Sequence, residues 1–171
     1  MEFNFDLEHI VDDLNVPEDE LLQLLGDAFV GADTLWPANQ RWLAWIDHRL
    51  VACVAIQRRW FRLASGYYEG WMVGTVCTTP DLQRRGIATE LLRVTHADLR
   101  KDELAFAVLN CGESRVRFYE RNGYQQVSAR ATYLRDGVAV IDDDPAMAIS
   151  LLPEFDVTRL VCDSFPFGFD F

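Results

Sequence analysis

The stretch Thr78-Thr79-Pro80-Asp81-Leu82-Gln83-Arg84-Arg85-Gly86-Ile87-Ala88-Thr89 holds the residues whose types and order point most directly to chemistry. It joins a strand-like segment to a helical one through two arginines and a glycine. Such a turn aims several free backbone N–H groups, and the positive end of the helix dipole, at one point in space, and so suits an anion. At Gly86 a side chain would block the close approach of a pyrophosphate, and Ala88 is small for the same reason. Spacing alone also fits an ordinary strand-to-helix turn with an exposed arginine pair.

The elements that must position this turn are legible on both sides of it. Upstream, Arg41 to Ile46 and Leu50 to Trp60 read as strands around a turn at Asp47-His48-Arg49, and Ser65-Gly66 leads into a third strand through Val73. Gly70 and Gly74 in that strand predict a bulge or the close approach of another backbone. Downstream, Ile87, Ala88, Leu91, Leu92, Thr95 and Leu99 form a helical stripe, and Leu104 to Leu109 is an unbroken apolar run suited to a buried strand. Strand, helix, strand in that order is a parallel crossover. Ser114 is placed to cap a short helix through Asn122, with Gly123 ending it in the left-handed conformation. A strand from Tyr124 to about Tyr133, an apolar stretch from Ala146 to Leu152 and an irregular tail complete the chain. Near the N-terminus, Pro17 to Phe29 reads as an amphipathic helix ending near Gly31, with a loop over 32–38.

The sequence has 171 residues, which predicts one domain over 1–171, with 153–171 as a C-terminal tail. Half the residues are hydrophobic and 12% aromatic, so disordered and fibrous classes are excluded. Lys and Arg number 16 against 27 Asp and Glu, a formal charge of -11. That field repels a phosphate backbone and favours a cationic small molecule over nucleic acid, although it also serves solubility. The cysteines Cys53, Cys77, Cys111 and Cys162 show no paired spacing, so neither a metal site nor a disulfide framework is expected. The first residues lack a signal-peptide pattern, and no apolar run approaches the ~20 residues that span a bilayer. A soluble cytoplasmic protein without membrane contact is expected.

The hexamer Gln83-Arg84-Arg85-Gly86-Ile87-Ala88 resembles the acyl-CoA signature Q/R-x-x-G-x-G/A of the GNAT superfamily of N-acetyltransferases. Phe118-Tyr119-Glu120-Arg121-Asn122-Gly123-Tyr124 is similar to its later F-Y-x-x-x-G-F/Y element, and together the two cover about residues 50–130. The resemblance implies an α/β (α+β) fold, a mixed central sheet splayed between two parallel strands at 71–78 and 104–109 and flanked by helices. It implies acetyl-CoA as co-substrate and no metal. The backbone of Val76, Cys77 and Thr78 would hold the pantetheine arm, and the amides of Arg84, Arg85, Gly86, Ile87, Ala88 and Thr89 the pyrophosphate, with Gln83 also counted in the cofactor site. Tyr119 matches the tyrosine that protonates the leaving thiolate, a task suited to a phenol. Asn110 would orient the arm or a water, or is a simple strand-end amide. Glu69 is the candidate base. Cys77 and Cys111 have no histidine placed to activate them and read as packing residues, which implies direct transfer.

A narrower resemblance, to aminoglycoside 2'-N-acetyltransferases, rests on Ala55-Ile56-Gln57-Arg58-Arg59 and on the tail with its Cys162-Asp163 pair and terminal Asp170-Phe171. It implies a polycationic acceptor met by Asp170 and the Phe171 carboxylate, with Asp33, Trp36 and the Asp142-Asp143-Asp144 run adding to the site. Gly74 stands where that subfamily carries an acid. The nodulation acyltransferases share the arginine pair and the Pro-Asp-Leu run, so a different amine acceptor or a longer acyl donor also fits these residues, and an acyl-CoA-binding sensor is the alternative reading of the donor motif. Aromatic residues in the tail suggest a homodimer contact.

Overall fold

The computed structural model describes residues 5–12, 15–29, 34–35, 37–63, 66–135, 138–160 and 162–167. The chain divides into two compact units, Met1–Gln57 with Val73–Leu99, and Arg58–Met72 with Arg100–Phe171. Strands β3 (Arg49–Leu63) and β4 (Gly66–Thr78) run through both. The larger sheet has strand order β1-β2-β3-β4-β5-β9-β6, where β1 is Asp6–Val11, β2 Gln40–Ile46, β5 Phe106–Asn110, β6 Gln125–Val127 and β9 Ala146–Ser150.

In the first unit, β1, β2 and β3 pair antiparallel in sequence order. The β2–β3 turn needs only Asp47 and His48, both left-handed at φ 48° and 63°, so Arg49 already belongs to β3. Two left-handed central residues give a hairpin whose twist matches that of its strands. Helix α1 (Glu18–Ala28) starts after Pro17 with three acids in its first turn, and buries Leu21, Leu24 and Leu25. These leucines pack against Leu43, Leu50, Cys53, Ala55 and Cys77 of the sheet, each fully buried leucine contributing about 1.5–3 kcal/mol. The helix ends at Ala28, short of Gly31, because Phe29 is extended (φ -132°). On β2, Trp42 donates its indole N–H to Asp98 of helix α2 (Ile87–Leu99) at 3.0 Å. Strand β1 had no counterpart in the sequence reading. Only Ile10 of its residues is buried, and what holds it is cross-strand contact: His9 stacks on Trp42 at 4.3 Å, and Glu8 accepts from the Trp45 indole at 2.8 Å.

In the second unit, β5 pairs parallel with β4 at Trp71↔Ala107 and Met72↔Val108, and antiparallel with β9, which pairs with β6. The parallel crossover is therefore present. Flanked on both edges, β5 is buried over Phe106 to Leu109, as its unbroken apolar run requires. Helix α3 is Val116–Arg121. Ser114 does not cap it. The residue lies inside a preceding 3-10 turn, Glu113–Arg115, and the position before α3 is Arg115, which makes no side-chain cap. The expected single strand from Tyr124 to Tyr133 is two strands, β6 and β7 (Ala129–Arg135), in different sheets with Ser128 between them. Strand β7 pairs with β8 (Val138–Asp142) and, in parallel, with β10 (Cys162–Phe167), so this part of the tail is a strand rather than irregular.

Gly70 is explained by a ring, not by a bulge or a backbone. A Cβ there would stand 2.5 Å from the Phe106 ring, which is held edge-on by Phe61 at 5.3 Å and stacked on Phe155 at 5.1 Å. Because Phe106 has no room to retreat, Gly70→Ala should lower stability by about 1–3 kcal/mol, measurable as a shifted denaturation midpoint with unchanged slope. No helix among the described residues is long and apolar enough to cross a membrane.

Candidate functional site

The first unit supplies the end of β4 and the turn after it. Backbone geometry breaks at Thr75, which is left-handed at φ 51°, beside Gly74, which is not. A β-branched residue in that region is unfavourable, and a reading based on glycines passed over it. Val76 is partly exposed, while Cys77 and Thr78 are buried. The strand is tied off by the Thr79 N–H, which donates to the Val51 carbonyl at 2.9 Å. Residues Pro80–Leu82 then form a 3-10 turn, with Leu82 N–H on the Thr79 carbonyl at 3.0 Å. Arg49 grips Asp81 through two bonds of 3.0 and 3.3 Å.

The Gln83 side chain turns back toward the strand it follows. It donates to the Thr78 carbonyl at 3.2 Å and so closes the turn back on β4. Beyond it, Arg84 (φ 62°) and Gly86 (φ 87°) are left-handed, and both are exposed with Arg85 and Thr89. The Ile87 side chain is buried and Ala88 half-buried, so at Ile87 the backbone is what a ligand can use. Helix α2 closes its first bond with the Glu90 N–H on the Gly86 carbonyl at 3.0 Å. The amides of Ile87, Ala88 and Thr89 precede that bond and have no acceptor within the helix. Alternating backbone handedness ahead of such amides makes an anion-binding concavity.

These residues fit a diphosphate with an extended polar arm. A Cβ on Gly86 would meet nothing within 4 Å, so space is open where the backbone is most approachable. The buried Thr78 hydroxyl oxygen has no hydrogen-bond partner.

Asp81 shows how the turn is braced. The Arg49 guanidinium, and next the Thr79 hydroxyl, hold its carboxyl below the usual range. A lowered carboxylate contributes above its unfolded pKa, and the contribution is lost as pH falls through the folded value. In a carboxyl-detected NMR titration, Arg49→Met should move the Asp81 midpoint upward toward the ordinary value.

The second unit supplies Tyr119, Asn110 and Glu69. Gly123, at φ 89°, reverses the chain after α3, and the Asn122 and Tyr124 N–H groups both return to the Tyr119 carbonyl, at 2.9 and 3.1 Å. That reversal brings Tyr124 edge-on to Tyr119 at 5.5 Å, with Phe118 at 5.1 Å. Burial first, and then Tyr119, push the Tyr124 phenol well above its ordinary value, so it stays neutral beside Tyr119. The Asn110 side-chain amide donates to the Asp144 carbonyl at 3.4 Å, and its buried Oδ1 has no hydrogen-bond partner. Glu69 is ion-paired with Arg58 at 3.5 Å, and the Arg58 guanidinium lies over the Trp71 ring at 5.5 Å.

Burial pushes the Cys77 thiol far up, with Cys53 adding, and takes Cys111 to about 11 with help from Asp144 and Glu113. Both are protonated at neutral pH and are poor nucleophiles. Asp143 and Asp144 are exposed, whereas Asp33, Trp36, Asp170 and Phe171 lie outside the described residues.

Residues 18–127 match the model of a family described as an acetyltransferase (GNAT) domain. This chain belongs to the GNAT acetyltransferase family. GNAT acetyltransferases use acetyl-CoA, a ligand that carries a diphosphate. No curated protein matches the sequence. Among solved structures, Escherichia coli ElaA superposes with a TM-score of 0.62 at 18% identity, over 85% of this chain and 99% of that one. An aminoglycoside 6'-N-acetyltransferase complexed with coenzyme A gives 0.62 at 16% identity, over 87% and 99%. A probable N-acyltransferase from Enterococcus faecalis gives 0.62 at 20% identity over 72% of this chain, which spans only 33% of that protein. At these identities the likeness is one of fold: the mixed sheet with flanking helices is the GNAT fold.

Proposed function

We propose that this GNAT protein transfers an acetyl group from acetyl-CoA directly to a primary amine of a cationic small molecule. The observation that carries the proposal is the turn at Gln83–Gly86, where left-handed Arg84 and Gly86 lead into the unbonded first amides of α2. In this mechanism the amides from Arg84 to Thr89 bind the diphosphate. The β4 backbone from Val76 to Thr78 aligns the pantetheine arm, with the Thr78 hydroxyl and the Asn110 Oδ1 as free polar partners. The bound thioester supplies an activated acyl group. Tyr119 donates its phenolic proton to the sulfur as the carbon–sulfur bond breaks, and the acceptor nitrogen sheds one proton as it bonds the acyl carbon. Neither Cys77 nor Cys111 carries the acyl group, since both thiols are held protonated.

Glu69 lies near the start of β4, whereas Val76 to Thr78 form its end. Its carboxylate is also engaged by Arg58. We therefore assign the amine's proton to water and leave Glu69 in its ion pair.

The formal charge of -11 and the exposed Asp143 and Asp144 support a cationic acceptor, of which an aminoglycoside, in the manner of the 2'-N-acetyltransferases, is the narrowest form. A thiol-release assay over aminoglycosides, polyamines, amino acids and peptides tests this. Turnover confined to polycationic amines is expected. Turnover confined to neutral or acidic acceptors overturns the acceptor class, and acetyl-CoA binding without turnover of any amine would make the protein a sensor.

A further inference from the structure

Beside the braced turn, and within the first unit, lies a cavity of about 220 Å³ that the transfer reaction does not use. Glu20 and Asp27 of α1 form one wall, seven residues apart and so on the same side of the helix. His48, in the left-handed turn between β2 and β3, and Arg49, the first residue of β3, form another. Leu24 and Leu50, which belong to the α1 core, supply the apolar part. Thr79 also lines the cavity. It is 1% exposed, and although its hydroxyl helps keep the Asp81 carboxyl low, the contact lacks the geometry of a hydrogen bond and the oxygen is left without one.

We propose that this cavity binds a zwitterionic amine of amino-acid size with an apolar side chain. The two carboxylates on α1 suit an ammonium, the guanidinium and imidazole opposite suit a carboxylate, and the leucines suit a short hydrocarbon. Separation of the charges onto two walls is what selects a zwitterion over a simple cation. The volume of about 220 Å³ suits a ligand of amino-acid size, being below the roughly 300–1,000 Å³ of pockets that take drug-sized molecules. Occupancy has a physical route to the turn after β4. Arg49 holds Asp81 by its two bonds, and Asp81 lies in the 3-10 turn that ends at Gln83. A ligand that draws on Arg49 or Thr79 therefore changes the bracing of that turn.

The probe is L-leucine, titrated into the full-length protein without coenzyme A while backbone amides are followed by NMR. Binding is independent of the proposed transferase activity and is read separately from it. Saturable shifts are expected at Glu20, Asp27, His48, Arg49 and Thr79, and onward through Asp81 to Gly86. Leucinamide, which lacks the carboxylate, and 4-methylpentanoate, which lacks the ammonium, should each bind at least tenfold more weakly. Glu20→Gln and Asp27→Asn, both on exposed helix positions, should weaken leucine similarly while preserving the spectrum of the fold. Absence of saturable shifts overturns the proposal, as does equal binding of leucinamide, or leucine affinity unchanged in both variants. Acetylation of leucine itself in the presence of acetyl-CoA would make it a substrate and overturn it too.

Discussion

Gly86→Ala should raise the dissociation constant for coenzyme A at least tenfold, measured by calorimetry, while the protein remains folded. Two effects of the same methyl group separate cleanly here. In the free protein its Cβ would meet nothing within 4 Å, so no clash arises, and the cost comes from φ 87° alone. A left-handed alanine costs about 1–2 kcal/mol, a fall in melting temperature of about 2–8 °C for a chain of this length. In the complex the methyl occupies the space through which a diphosphate reaches the amides of Ile87, Ala88 and Thr89. Each hydrogen bond to a charged group that lengthens or breaks is worth about 1.5–3 kcal/mol, which sets the tenfold floor. Gly112→Ala is the internal control, since Gly112 has φ -56° and an added Cβ would meet nothing within 4 Å. That variant should match the parent in both stability and affinity. A Gly86→Ala protein with undiminished affinity would remove the amide cradle from the mechanism.

Tyr119→Phe should lower kcat about 100-fold, within the range general acids contribute, and leave the KM for acetyl-CoA near its original value. The pattern matters as much as the size. Phenylalanine keeps the ring contacts with Phe118 and Tyr124 that centre on this residue, so a packing role alone would leave kcat intact. An interaction made only as the sulfur departs lowers kcat and kcat/KM together. Tyr124→Phe is the companion variant. Its phenol is buried and its raised pKa makes it hold its proton more tightly, so it is a poorer acid, and the substitution should reduce stability more than turnover. Equal kcat for the parent and Tyr119→Phe at every pH would end the assignment of Tyr119 as the acid.

Much of this protein is written in short stretches of sequence. The Gln83–Ala88 turn, the α2 stripe from Ile87 to Leu99, the α1 leucines and the Gly123 reversal all appear where their residues predict them. Each depends on backbone preference or on a 3.6-residue period, and both are properties of neighbouring residues. The roles of Asp81 and Gln83 needed more. Nothing around them shows that Arg49, 32 residues earlier, grips the carboxylate, or that the Gln83 amide turns back to Thr78.

Pairing partners were settled only by the tertiary structure. The run from Tyr124 to Tyr133 is strand-forming throughout, yet β6 joins β9 while β7 joins β8 and β10. Strand β1 exists because β2 offers it a ladder, and Gly70 is glycine because Phe106 lies across it. Left-handed Thr75 likewise contradicts its own local preference. Local sequence fixes how a segment prefers to bend, but which distant segment supplies its hydrogen bonds, and which ring occupies its space, is decided by burying all the apolar faces at once.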